Sequence, residues 1–195
     1  PLTNDEWQRV TKAAEELEEL PLYLDYGATT ADDVLRQIED TLLIHSIPLD
    51  SPYVVFFDYL QFGAKQADDD SEYDRLTRLS SEFKYIAKCV DRPVVVFSQL
   101  RRETEGNEEP EINWYKGTGR IESDMDVGII ITGARVAGEI APRRITIVKQ
   151  REGVANVGID LLFNQQCFKF DTIASSVDPK PLLGNDDLGD FGEAF

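Results

Sequence analysis

A chain of 195 residues is the length of one domain, enough to bury about two-thirds of its unfolded surface. Apolar residues make up 42% and charged residues 29%, as in ordinary soluble globular proteins, yet 37 acids against 20 Lys and Arg leave a net charge of −17. That charge excludes a surface that grips nucleic acid everywhere, because phosphates are repelled, and permits only a local basic site in an acidic body.

Thr3-Asn4-Asp5-Glu6 has the form of a capping box, with Trp7, Val10, Ala13, Ala14 and Leu17 behind it at helical spacing. A helix is expected over 7–20, ending at Pro21, and a short strand over 22–24 closing on Asp25. A second helix is expected over 30–45, with Val34, Leu35, Ile38, Leu42 and Leu43 on one side, then a strand over 53–57. A polar loop at 65–71 leads to a third helix over 72–89, which Arg92-Pro93 ends before a buried strand at 94–97. Residues 101–120 are polar and hold Gly106, Pro110, Gly117 and Gly119, so they read as a long mobile loop. Strands follow at 126–132, 143–149 and 157–163, with a short one near 168–170. No internal repeat is visible.

Strands alternating with helices predict an α/β fold of parallel βαβ units. The unbroken apolar runs at 53–57, 94–97 and 129–131 suit strands covered on both faces. The later strands, lacking long helices between them, suggest antiparallel additions at one edge. Residues 1–174 form the expected domain; 175–195, acidic and rich in Gly and Pro, read as a disordered tail. Cys89 and Cys167 show no CxxC or histidine pattern and read as free thiols in a reducing compartment. No apolar run reaches the roughly 18 residues of a membrane span, so the expectation is a cytoplasmic protein without membrane contact.

Three strand ends carry chemistry. In YVVFFDYLQF, Asp58 ends an apolar strand, where open α/β sheets place their ligands; an Asp there can hold Mg²⁺ beside nucleotide phosphates, and a turn or N-cap role is equally open. Gln99 ends the next strand, placed to sense a terminal phosphate or merely to meet solvent. Lys149 and Arg151 close the strand ITIVKQREG, two residues apart and so on the same side of it. They suit an arginine-finger role toward a neighbouring subunit, or a pair of solvated charges before a turn.

The order of YVVFFDYLQ, PVVVFSQLRR, GTGRIESDMDV and ITIVKQREG closely resembles the DnaB-type replicative DNA helicases, RecA-like hexameric motors of the P-loop NTPase class. The resemblance covers roughly residues 2–172. It implies a partial RecA-like fold, mostly parallel with antiparallel edge strands, and a part in ATP-driven 5′–3′ translocation on single-stranded DNA in a ring. On this resemblance Asp58 is the Walker B acid and magnesium ligand, Gln99 the γ-phosphate sensor, and Lys149 with Arg151 the finger pair on a neighbour's ATP. Lys116, Gly117, Thr118 and Gly119 lie where the family has a channel loop that contacts the strand backbone. Lys116 keeps a cation and Gly119 a flexible position, while Gly117 replaces an acid. Arg102 and Arg120 are helpers at that DNA site, Arg120 being unusual for the family.

No GxxxxGK[ST] loop occurs in these residues, nor any Gly-Lys pair, so the chain by itself is expected not to hydrolyse ATP and reads as the C-terminal part of a motor. Loss of the adjoining strands would bare an apolar sheet edge and predicts low stability or self-association. The acidic tail ending in Phe195 suits recruitment of a replisome partner, or plain solubilisation. The rival readings are a degenerate RecA-like module that binds an intact helicase or another replisome partner without chemistry, and a different RecA-like ATPase of recombination or repair.

Overall fold

The computed structural model describes residues 2–63, 71–100, 110–115, 119–133 and 140–173. They form two compact units, one up to Gly128 and one from Ile129 onward, each described by itself.

The first unit holds α1 (Asn4–Glu18), α2 (Ala31–Ile44), β1 (Val55–Phe57), α3 (Glu72–Val90), β2 (Val94–Val96) and α4 (Gly119–Asp124), with short 3-10 turns at Leu60–Phe62 and Ile112–Trp114. β1 and β2 pair in parallel, with Val55 opposite Val94 and Phe57 opposite Val96. Parallel neighbours need a crossover, and α3 supplies it. Its Leu76, Leu79, Phe83 and Ile86 fall on one helical stripe and are buried. The Phe83 ring lies 4.5 Å from that of Phe57, which fixes the helix against β1. Leu79 also fills the space over Gly63, where a Cβ would stand 2.3 Å from its Cδ1.

Three expectations change here. The strands are not covered on both faces: Phe56 is 64% exposed and Phe97 48%, on the side away from α3, their rings stacked 6.4 Å apart. Unbroken apolar sequence reports two apolar faces, not two covers. Residues 22–24 form no strand; Leu22, Tyr23 and Leu24 are exposed, and a lone extended segment with no ladder partner gains nothing from its β propensity. The expected mobile loop is partly ordered: Trp114 and Tyr115 are buried, Tyr115 bridges Leu100, and Gly119 and Arg120 already belong to α4. Its glycines and acids outweighed one compact aromatic cluster in the sequence reading. Residues 101–109 lie outside the described ones.

The helix starts follow from local chemistry. The Thr3 hydroxyl accepts the Glu6 N–H, and the Glu6 carboxylate accepts the Thr3 N–H at 2.7 Å. Thr30 and Asp33 repeat the arrangement on α2. The backbone N–H of Thr3, then its hydroxyl, holds the Glu6 carboxyl below the ordinary range. The Thr30 hydroxyl does the same for Asp33, with partial burial opposing it. A folded value below the unfolded one stabilises the cap at pH above the ordinary carboxylate value, and that gain is lost as pH falls through the lowered value. Thr3→Ala should therefore reduce helicity by circular dichroism at neutral pH, and the gap to the wild type should narrow in acid without vanishing, because the hydroxyl there still accepts the Glu6 N–H. The same gap in acid as at neutral pH contradicts the hydroxyl-to-carboxylate half of the reciprocal cap.

A four-stranded sheet, of which all but the first two residues of its first strand belong to the second unit, runs in the order β3 (Val127–Thr132), β4 (Ile140–Gln150), β5 (Val157–Asn164), β6 (Lys169–Thr172). β4–β5 and β5–β6 are antiparallel, as the short connections require. Arg144 lies opposite Asp160 and meets both carboxylate oxygens, at 2.8 and 2.9 Å, a cross-strand pair that helps hold register. Among the described strands β1–β2 is the parallel part and β4–β5–β6 the antiparallel part of the α/β fold. The acidic segment 175–195 lies outside the described residues.

Candidate functional site

Asp58 directly follows β1, and Gln99 stands three residues beyond β2. The strands run in parallel, so both residues sit on the same carboxyl rim, and both are exposed. Within this unit Asp58 stands open to solvent. Main-chain bonding continues past the strands: Phe97 N–H donates to Phe57 O at 3.0 Å, and Leu60 N–H to Phe97 O at 2.8 Å. The Asp58–Tyr59 peptide is cis.

Beyond that point a side chain joins the two segments. The Gln61 amide donates to Ser98 Oγ at 3.0 Å, and its carbonyl accepts the Gln99 N–H at 3.2 Å. Sequence reasoning quoted Gln61 within DYLQ and gave it no role. A polar side chain one short turn after a strand-end acid was the available signal.

The finger candidates lie in the second unit. Lys149 is the penultimate residue of β4 and half-buried; Arg151 opens the turn after it and is exposed. Strand alternation stops one residue short of Arg151, so the period-two argument covers Lys149 alone. Of the DNA-site candidates, Arg102, Lys116, Gly117 and Thr118 lie outside the described residues. Gly119 and Arg120 open α4. The Arg120 guanidinium meets Asp124 Oδ2 at 3.0 Å and Ser81 Oγ at 2.9 Å. Ser80 and Ser81 of α3 donate to the same Asp124 oxygen, at 3.0 and 3.1 Å. Arg120 thus takes part in a cluster that ties α4 to α3.

Among the described residues no group of three or more His, Cys, Asp or Glu could hold a metal ion. Magnesium beside a nucleotide needs no such cage, since one carboxylate, phosphate oxygens and waters complete its shell. Asp58, an exposed hard oxygen donor on the ligand rim, fits that part. Gln99 fits a hydrogen-bonding part, while no GxxxxGK[ST] sequence, whose backbone would cradle the phosphates, occurs in these 195 residues. A recess of about 510 Å³ lined by Asp50, Tyr53, Arg92 and Pro93 opens at the opposite, amino ends of β1 and β2, away from Asp58. Chemistry rather than hollowness marks the candidate site.

The family model of the DnaB-like helicase C-terminal domain matches residues 1–172. Among curated relatives, the replicative DNA helicase DnaB of Treponema pallidum (strain Nichols) is 28% identical over 145 residues, covering 74% of this chain and 31% of that protein. That of Haemophilus influenzae (strain ATCC 51907 / DSM 11121 / KW20 / Rd) is 32% identical over 127 residues, covering 62% of this chain and 27% of that protein. That of Mycobacterium leprae (strain TN) is 28% identical over 132 residues, covering 67% and 21%. Two solved structures share the fold at 20% identity. One is an ATPase domain, with a TM-score of 0.74, covering 88% of this chain and 62% of that one. The other is a DnaB-like replicative helicase solved for its interactions with primase, with a TM-score of 0.73, covering 88% and 43%. The chain spans between about a fifth and a third of the length of these curated relatives.

Proposed function

Because the chain belongs to the DnaB-like helicase C-terminal domain family, we propose that it is the C-terminal part of a replicative helicase motor that couples ATP hydrolysis between ring subunits to movement along single-stranded DNA. The observation that carries this is the placement of Asp58 and Gln99 on one carboxyl rim of two neighbouring parallel strands. ATP with its magnesium supplies phosphoryl transfer to water. Asp58 orients on the metal side, and Gln99 offers its side-chain amide toward the terminal phosphate. Lys149 and Arg151 serve a nucleotide held by the adjoining subunit of a hexameric ring, compensating negative charge there. The segment 116–120, with Lys116 as its cation and Arg102 near it in sequence, grips the strand backbone without reading bases. The acidic segment 175–195 offers negative charge to a basic replisome partner.

A second reading, a RecA-like module that joins an intact motor without chemistry of its own, is favoured by one observation: these 195 residues hold no Gly-Lys pair. ATP turnover of the complete polypeptide, with and without single-stranded DNA, separates the two. Turnover stimulated by DNA is expected, and its absence favours the module. In the same assay Lys116→Ala should weaken single-strand binding and lower the slope of log affinity against log salt by about 0.7, one phosphate's worth. An unchanged slope removes Lys116 from the backbone contact.

A further inference from the structure

We infer that Gln61 is a positioning residue, a side-chain bridge that holds the Ser98–Gln99 strand end against the turn following Asp58 and so sets where the Gln99 side chain stands relative to that carboxylate. The inference rests on the nucleotide reading above and deepens it.

β1 and β2 exchange main-chain hydrogen bonds as far as Leu60 N–H to Phe97 O, where the two backbones part. Gln61 continues the pairing for two more residues of the second segment. Its chemistry there is fixed by its partners. A backbone N–H can be accepted only by oxygen, so the bond from Gln99 N–H places Oε1 toward Gln99 and leaves the NH₂ group for Ser98 Oγ. One planar amide thus makes two bonds of opposite sense to adjacent residues, which constrains rotation as well as distance.

The base of the bridge is firm. Gln61 lies in the 3-10 turn Leu60–Phe62, whose Leu60 is 3% exposed, and the turn ends at Gly63 under Leu79 of α3. Its far side is not regular: Gln99 belongs to no strand, and the chain continues through Leu100, which bridges Tyr115 next to the segment 116–118. Gln61 is therefore bound to the strand end that leads into Leu100 and its bridge to Tyr115. A shift of Gln99 toward or away from a phosphate must keep or break these two bonds.

Two measurements test this. The first reads amide hydrogen exchange at Gln99 in this chain. Gln61→Leu, similar in bulk but without hydrogen-bonding atoms, should speed exchange at Gln99 about tenfold relative to neighbouring amides. Gln61→Glu keeps an acceptor for the N–H, and the Ser98 hydroxyl can turn to donate, so it should retain most of the protection. Thermal midpoints of both variants guard against general unfolding. Unchanged exchange in a folded Gln61→Leu overturns the bridge.

The second reads DNA-stimulated ATP turnover in the complete protein. Gln61→Leu should lower kcat about tenfold with KM for ATP within about twofold, and Gln61→Glu should recover most of it. In a Gln99→Ala background, which keeps the backbone N–H and loses the side chain, Gln61→Leu should add nothing further. Full additivity, or normal turnover in Gln61→Leu, overturns the positioning role. A wild type without turnover removes the nucleotide reading instead and leaves the exchange arm to decide the bridge.

Discussion

Arg151→Ala in the complete motor should lower ATP turnover about 10³-fold or more and leave ATP affinity nearly unchanged. The magnitude is that of an arginine finger, which stabilises the charge spread over the transferring phosphoryl group and contributes little to ground-state binding. Arg151 suits that part because it stands exposed on the turn that closes β4, beyond the last strand residue, Gln150. A planar guanidinium with a fixed fork of donors differs from an ammonium, so Arg151→Lys should recover little. Mixed rings test action in trans. Arg151→Ala subunits keep Asp58, and Asp58→Asn subunits keep Arg151, so rings of both should turn over ATP faster than either alone. No gain on mixing, or near-normal turnover by Arg151→Ala rings, rejects the role across the subunit boundary.

The largest effect on stability should come from Leu79→Ala in α3. Leu79 is 2% exposed and fills the space above Gly63, so its removal loses apolar burial and leaves a cavity the turn cannot readily close. Such a truncation costs about 2–5 kcal/mol, a large share of the roughly 5–15 kcal/mol that holds a domain folded. The urea midpoint of the chain should fall steeply with little change in slope, while Lys88→Ala, exposed on the same helix, should stay within about 0.5 kcal/mol. A small shift for Leu79→Ala would mean that α3 does not anchor the turn carrying Gln61.

What could be read from the sequence was local. The capping box at Thr3, the third helix and the strands around 145 and 160 are set by neighbours a few residues away, and each lies where its pattern puts it. The order of strand-end motifs pointed to the right family and the α/β fold. Contacts between distant residues were not legible. The Gln61 bridge joins residues 37 and 38 positions apart, and the Asp124 cluster joins residues more than 40 apart. The cover of each sheet face was not legible either, since Phe56 and Phe57 are equally apolar letters and only Phe57 meets Phe83. Aromatic Trp114 and Tyr115 lay hidden in a stretch whose glycines dominated its reading.

The Asp124 cluster has an asymmetry in its wiring. Ser80, Ser81 and Arg120 all converge on one oxygen, Oδ2, so the mooring of α4 is a hub with several spokes. Removing Asp124 casts off both serine lines at once and leaves the Arg120–Ser81 bond and buried Ile121 to hold α4. Arg120 can therefore drift in sequence at less cost to the mooring than Asp124. The opening of that helix, Gly119 and Arg120, thus takes its berth from a carboxylate at the helix's far end.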